Sequence, residues 1–359
     1  MMRVHILSPG MTSPNGRAFL FPLLVWRRQL EAAGIHWRLF HERTPALFEC
    51  DHLILDCRYY TPRWRAESAT VEDELAEMAA AGPQVIWYDN TDSTGWDHAR
   101  ALPRVHKFVK NQLLKDRRRY LEPIYGAGRV FAEYYHRTAG VADADACPSE
   151  PVVDADQLTK LRLGWNSGLA DYSLWGPTRM AAFQRVPWQG LLSFPRACAR
   201  PDSDRPLPFA ARFGLGYARA SVAHQRRRMA EILRGRTATA KVGRRAYYEE
   251  LKRAAIVVSP FGLGEITLKD FETFLAGSAL LKPSMDHMET WPQFFRPGET
   301  ILTHGWDLDD LDTVIEAALK DSDLRLDLAM NGQKLYLRHT RGPEAAALFA
   351  QHLHHILTS

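Results

Sequence analysis

Residues 259–283, SPFGLGEITLKDFETFLAGSALLKP, limit what this chain can fold into more than any other stretch. They follow an apolar run, 255–258, short enough and β-branched enough to be a buried strand. A glycine-containing loop, Pro260-Phe261-Gly262-Leu263-Gly264, comes next and ends in Glu265. Phe271, Phe274 and Leu275 then recur at helical spacing, and Gly277 supplies a stop. Ala279-Leu280-Leu281 reads as the next buried strand. Strand, loop, helix and strand make one unit of a parallel α/β sheet. Such sheets take ligands at the carboxyl ends of their strands, where helix N-termini offer free N–H groups to anions. Lys269 sits early in that helix, where a cation opposes the helix dipole unless an anion lies nearby. Charge spacing alone also fits a solvated face for Glu265, Lys269, Asp270 and Glu272.

The remainder of the chain repeats the alternation. Strands are expected over 3–7, 35–40, 52–57, 84–88 and 105–109, with helices over 17–33 and 71–81 between them. A second series starts with a strand at 208–213, the glycines Gly214 and Gly216, and a helix carrying Arg226. A strand at 237–242 and a helix at 245–253 lead back to the central unit. Beyond it come a strand at 300–303 and helices at 308–319 and 342–357. The fold class expected is α/β with two Rossmann-like domains. The boundaries read as 1–165 for the first domain, 166–185 for the linker, 186–335 for the second domain, and 336–359 for a final helix.

At 359 residues, 46% apolar and 25% charged, the chain is long enough for two such domains and ordinary in composition. A net charge of +4 permits an anionic substrate and leaves loose membrane or nucleic-acid attraction open. Cys50, Cys57, Cys147 and Cys198 show no metal-binding spacing, and Cys50 and Cys57 read as reduced, buried thiols. The expected setting is cytoplasmic, with no metal site, no leader and no membrane span. Residues 110–119 are dense in Lys and Arg. They read either as a solvated helix face or as a polyanion surface, with Asp116, Glu122 and Glu133 diluting the charge. Residues 139–159 read as an exposed loop.

The string in the second half resembles the donor-binding segment of GT-B glycosyltransferases. Their retaining families place a second Glu before a small-residue helix end, as in Glu272-Thr-Phe-Leu-Ala-Gly277. Glu265 stands one residue short of their first Glu. The pattern SPFG-x-GE, DFE, LLKP, His287, Glu289-Thr290-Trp291 and Pro297-Gly298-Glu299-Thr300 is similar to bacterial group 1 and spore-maturation-type members. ITLKDFET resembles the ITLR-x-x-ET of phage DNA β-glucosyltransferases, with Lys269 in place of Arg. The likeness covers roughly the last 150 residues well and the first half in outline.

The resemblance implies a GT-B fold whose two domains face a cleft, with a nucleotide-diphosphate sugar as co-substrate and no obligatory metal or cofactor. It assigns Glu272 to the ribose and Glu265 to the diphosphate or sugar. The donor is further expected to meet Gly214, Gly216, Gly264, Thr267, Leu268 and Lys269, and an Arg drawn from Arg219 and Arg226. Asn15, Arg17 and His287 would face the cleft or the acceptor, and the terminal helix would return to the first domain. Inverting transfer needs a base, and the strand end at 89–95 offers Asp92 first and Asp89 second. Thr91-Asp92 resembles a Thr-Asp of the DNA-glucosylating enzymes. Both acids equally fit turn and cap roles. The acceptor is a glycan, a small molecule or DNA, and a peripheral membrane contact is left open. A non-catalytic nucleotide- or sugar-binding protein is the remaining alternative.

Overall fold

The computed structural model describes residues 1–95, 97–144 and 154–359. In chain order the first half holds β1 (Met2–Leu7), α1 (Pro14–Val25), α2 (Arg27–Ala32), β2 (Ile35–Phe40), β3 (His52–Asp56), α3 (Cys57–Trp64), α4 (Ser68–Ala80) and β4 (Gln84–Asp89). It continues with β5 (Lys107–Lys110), β6 (Gln112–Leu114), α5 (Tyr125–Gly128), α6 (Val130–Ala139) and β7 (Leu161–Leu163). The second half runs α7 (Gly176–Arg185), β8 (Leu207–Ala210), α8 (Ala220–Ile232), α9 (Arg244–Arg253), β9 (Ala254–Val258), α10 (Leu268–Ala276), β10 (Ala279–Pro283) and β11 (Met288–Thr290). It ends with β12 (Leu302–His304), α11 (Leu311–Lys320), α12 (Ser322–Thr340) and α13 (Ala345–Thr358).

Strands such as β9 (AAIVV), buried at every position, suit a parallel sheet covered on both faces by helices. The first sheet is parallel throughout in the order β2-β1-β3-β4-β5-β7, and the second in the order β12-β10-β9-β8. This is the paired α/β architecture that the alternation implies. A third element joins the halves: β6 of the first pairs antiparallel with β11 of the second, with Leu113 opposite Glu289.

The chain crosses between the sheets twice, and both crossings are apolar. Trp165 stacks on Phe19 at 5.5 Å and meets Phe349 of α13 edge-on at 5.1 Å. Phe349 also packs on Trp26, between α1 and α2, at 5.3 Å, so the last helix lies against the first sheet's helices. Lys107 of β5 reaches the end of that helix and donates to the carbonyls of Ile356 (3.0 Å) and Leu357 (2.5 Å).

Several expectations are corrected. The helix expected over 17–33 is two helices broken at Trp26, whose backbone leaves helical geometry (φ −102°, ψ 21°) where its indole turns into the Phe194–Phe349 cluster. Residues 110–119 are no helix. Lys110 ends β5, Gln112–Leu114 form β6, and a 3-10 turn follows over Arg117–Leu121. Four of their charges are paired with acids: Lys110 with Asp89, Arg117 with Glu289, Arg118 with Asp116, and Arg119 with Glu122 and Glu133. Residues 237–242 run beside the loop after β8 without forming a strand, with Phe213 N donating to Thr239 O at 3.1 Å. Residues 166–185, expected as a linker, include the helix α7. Of the loop at 139–159, Asp143 is buried and receives the Ser221 N–H (2.8 Å) and hydroxyl (2.7 Å) at the start of α8; Cys147 lies outside the described residues. Among the described residues no helix is long and apolar enough to cross a membrane.

Phe349 is fully buried among three tryptophans, Trp26, Trp165 and Trp291. Phe349→Ala is expected to lower the unfolding free energy by about 3–5 kcal/mol, measured by urea denaturation.

Candidate functional site

Strand β8 is followed by residues on one side of it, near 239, and strand β9 lies on its other side. The order of successive segments therefore switches sides at β8, and a crevice opens at the carboxyl ends of β8 and β9. A cavity of about 540 Å³ occupies it. Its walls come from the loop after β8 (Arg212, Phe213, Gly214), from Arg226 of α8, from Lys241 to Tyr248, and from Ser259, Pro260 and the start of α10.

Asp270 builds the floor. Its carboxylate accepts from the Thr267 N–H (2.9 Å) and hydroxyl (3.0 Å), the Ser259 hydroxyl (2.6 Å) and Lys282 Nζ (2.8 Å). Thr267 thus becomes the N-cap of α10, fixed to the ends of β9 and β10 at once. Gly277, at φ +67°, closes the helix in the left-handed region, and a Cβ there would lie 2.7 Å from the Ala199 carbonyl oxygen.

Above this N-terminus stand two cations held by backbone carbonyls. Arg226 donates from Nε to Phe261 O (2.8 Å) and from Nη1 to Gly214 O (3.2 Å), and its guanidinium lies over Tyr217 at 4.5 Å. Lys269 Nζ donates to Arg212 O and, at 3.5 Å, to Val258 O. Carbonyl partners fix both side chains, and neither is in ion-pair contact with an acid among the described residues. Burial pushes the Lys269 ammonium down to about 7, Arg226 adds to the effect, and Glu272 and Asp270 oppose it. Arg212, in contrast, is bound to Glu250 at 2.8 Å. Glu272 forms the acidic end of the cavity and accepts from Tyr247 (2.9 Å) and Tyr248 (3.0 Å); burial pushes its carboxyl up.

The other expected residues divide between two places. Gly214, Thr267, Leu268, Lys269, Glu272 and Arg226 line the cavity, while Gly216 and Arg219 lie in the approach to α8, off its wall. Glu265 lies at the seam between the halves. It is fully buried, accepts from Thr94 N (3.2 Å) and Thr94 Oγ1 (2.7 Å), and pairs with His287 Nε2 (3.2 Å). Burial raises this carboxyl, but the His287 and Thr94 contacts outweigh it and hold it below its ordinary range. At the same seam a Cβ on Gly264 would sit 1.4 Å from the Asp92 carbonyl oxygen, so only glycine fits there. Asn15 Nδ2 donates to Asp92 Oδ1 (2.9 Å) and Asn90 O (2.8 Å), and Gln112 donates to Asp92 O (2.6 Å). Arg17 turns to Met11 O instead (3.1 Å).

Asp89 lies behind Asp92, fully buried. Lys110 (3.2 Å), His98 (3.4 Å) and the Thr91 hydroxyl (2.6 Å) converge on its carboxylate; burial opposes its ionisation, and Lys110 and His98 overcome that and keep it strongly acidic. Cys57, Asp89 and His98 bring three potential metal ligands within 4.8 Å of one another, but Lys110 already supplies the cation at Asp89.

Arg212, Lys241, Arg244 and Tyr247 line the cavity without having been singled out from the sequence. The one signal present was spacing: Arg244, Tyr247 and Tyr248 fall on one face of α9.

Neither a protein-family model nor a curated protein matches the chain. Solved structures do, over their whole length and at low identity. The chain is similar to HepE from Anabaena in complex with UDP-glucose (10% identity, 99% of this chain and 100% of that one, TM-score 0.45). It is also similar to the DNA-modifying enzyme β-glucosyltransferase, solved with and without uridine diphosphoglucose (9%, 100% and 100%, 0.43). A third is the sucrose-phosphate synthase of Thermosynechococcus elongatus (12%, 99% and 99%, 0.40).

Asp270 and Lys282 are both fully buried, so removing one partner strands the other charge. Lys282→Met is expected to cost about 3–5 kcal/mol in urea unfolding, and Asp270→Asn combined with Lys282→Met distinctly less than the sum of the two single changes.

Proposed function

We propose that the chain is a GT-B glycosyltransferase that moves a sugar from a nucleotide-diphosphate donor to an acceptor hydroxyl. One observation carries this reading: Arg226 and Lys269, fixed on backbone carbonyls and in ion-pair contact with no acid among the described residues, stand at the N-terminus of α10. That arrangement suits a diphosphate, which takes charge from the side chains and hydrogen bonds from the helix N–H groups. Glu272, one turn further along the helix, is placed for a ribose hydroxyl. The cavity volume of about 540 Å³ is within the range of small-molecule sites.

On an inverting course Asp92 takes the acceptor proton as the acceptor oxygen bonds to the anomeric carbon. The bond from that carbon to the diphosphate breaks, and the diphosphate leaves with the electron pair toward Arg226 and Lys269. Asp92 is preferred to Asp89 because it touches the donor loop at Gly264, whereas Asp89 is enclosed by Lys110 and His98. Asn15 orients its carboxylate. His287 and Glu265 hold the seam shut rather than facing the cavity. Glycan and small-molecule acceptors are favoured over DNA, since Lys110, Arg117, Arg118 and Arg119 of the basic run are each paired with an acid. A cytoplasmic setting accords with Cys50 and Cys57 as buried free thiols. A peripheral membrane contact remains part of the proposal only through the mildly basic balance of the chain.

Both phosphates of a nucleotide sugar stay singly ionised across neutral pH, so the ligand adds no slope of its own there. Above about 7, where the Lys269 ammonium loses its proton, affinity is expected to fall as pH rises, by at most tenfold per pH unit. Isothermal titration calorimetry between pH 6 and 8.5 checks this, with Lys269→Arg removing the slope and Arg226→Ala weakening binding at every pH. A wild type that binds no nucleotide sugar at millimolar concentration refutes the donor site.

Asp92→Asn is expected to lower kcat by about 10²–10⁴-fold while leaving the Kd for donor within about twofold. Transfer assays beside calorimetry separate the two quantities.

A further inference from the structure

Glu272 forms part of the wall between two cavities. The first is the site described above; the second, of about 440 Å³, lies behind it and is lined by Leu174, Trp175, Cys198, Lys252 and Leu275 among others. Tyr248 belongs to both walls as well. Its hydroxyl lies 3.0 Å from Glu272 Oε1 and only 2.5 Å from the carbonyl oxygen of Tyr172. A phenol carries one hydrogen and cannot donate to both.

Tyr172 belongs to the first crossing between the sheets. It is buried, its ring stacks on Phe271 at 5.2 Å, and its own hydroxyl donates to Ser167 O. Arg244 strengthens the same tie by donating to Ser173 O at 3.2 Å. Two proton arrangements are open to the group. In one, Glu272 is ionised and draws the protons of both Tyr247 and Tyr248, and the Tyr172 carbonyl loses its donor. In the other, Glu272 carries a proton and donates it to Tyr248, whose own proton stays on the Tyr172 carbonyl.

We infer that Tyr248 is a positioning residue whose single proton is exchanged between Glu272 and the Tyr172 carbonyl, so that it sets the ionisation of the donor-facing carboxylate and couples it to the crossing. This rests on the proposed donor site only in its consequence for binding: a ribose hydroxyl donates to Glu272 and so favours the ionised arrangement. Nucleotide and pH then act on one hydrogen-bond switch.

Other charged groups face Glu272 and contribute a background common to every variant below. On its own helix these are Lys269 and Asp270, and on α9 Arg244. Arg226 of α8 lines the same cavity, as do Arg212 and Lys241 from the loops. Asp171 and Arg179 lie on the crossing side, Glu249 and Lys252 line the second cavity, and Tyr336 approaches from α12. Burial raises the Glu272 carboxyl and the two tyrosine hydroxyls pull it back. Deleting either hydroxyl removes a donor to the charged form, which moves the titration upward.

The test is a carbon-13 NMR titration of the ligand-free protein labelled at glutamate carboxyls, with the Glu272 signal identified by its loss in Glu272→Gln. The expected midpoint lies above the ordinary carboxylate range in wild type and higher still in Tyr248→Phe and Tyr247→Phe. Only Tyr248→Phe should also speed amide hydrogen exchange in the segment around 167–175. Donor Kd is measured on the same proteins from pH 5.5 to 8.5 and expressed as the ratio of variant to wild type, which cancels the titration of Lys269. For Tyr248→Phe that ratio should be largest at pH 5.5, at a few-fold, and fall toward one by pH 8.5. A Glu272 midpoint unchanged by Tyr248→Phe, or a ratio constant with pH, overturns the inference. A midpoint that moves in a protein that binds no nucleotide sugar upholds the proton exchange and refutes the donor site instead.

Discussion

The ion pair between Asp270 and Lys282 is the contact on which the site depends. Both side chains are fully buried, and Asp270 also binds Ser259 at the end of β9 and both the N–H and hydroxyl of Thr267. A buried carboxylate with four donors joins two adjacent strands to the first turn of the helix between them. Desolvating two charges in this way contributes little net stability. What it does fix is the position of the α10 N-terminus relative to β9 and β10, and thereby its position beneath Arg226 and Lys269.

Geometry at the seam follows from the same loop. Having left β9 at Ser259, the chain must pass Phe261, whose carbonyl holds Arg226, and Gly264, whose missing side chain admits the Asp92 carbonyl. Glu265 then closes the junction on Thr94 and His287. Seven residues separate Glu265 from Glu272 in sequence, but α10 begins only at Leu268, so the two acids do not share a helix face. One serves the contact between the halves and the other the cavity. The β6–β11 ribbon, which carries Gln112 to the Asp92 carbonyl, braces that contact from the opposite side.

The alternation of strands and helices was legible because buried parallel strands are continuous apolar runs and their helices have one apolar stripe; β2 at Ile35–Phe40 falls where expected, and β1, β3 and β4 within a residue at each end. Helix α12 was not legible, because its buried face includes Gly332, Gln333 and Thr340, and Gln333 is there to donate to the carbonyls of Ala199 and Phe274. The run at 110–119 misled for the opposite reason: charges that look solvated in sequence are answered by acids from β4, β11 and α6. Glu272, Lys269 and Arg226 could be picked out by motif and charge. Asp270 could not be told from an ordinary first-turn acid, since its partners Ser259 and Lys282 lie 11 and 12 residues away and meet it only through the sheet.

The residues of α10 divide their work by turn. Its first turn, capped by Thr267 and Asp270, presents N–H groups beneath two cations; its second turn presents Glu272. The opposite face of the helix, Phe271 and Phe274, packs on Tyr172 and on Tyr336 of α12, so it touches both the crossing and the C-terminal helices. A ligand that binds along the exposed side of such a helix acts on a rigid element whose other side is joined to both halves. The cavity and the Asp92–Gly264 seam are thus joined through one helix and the loop before it, by packed side chains and backbone contact.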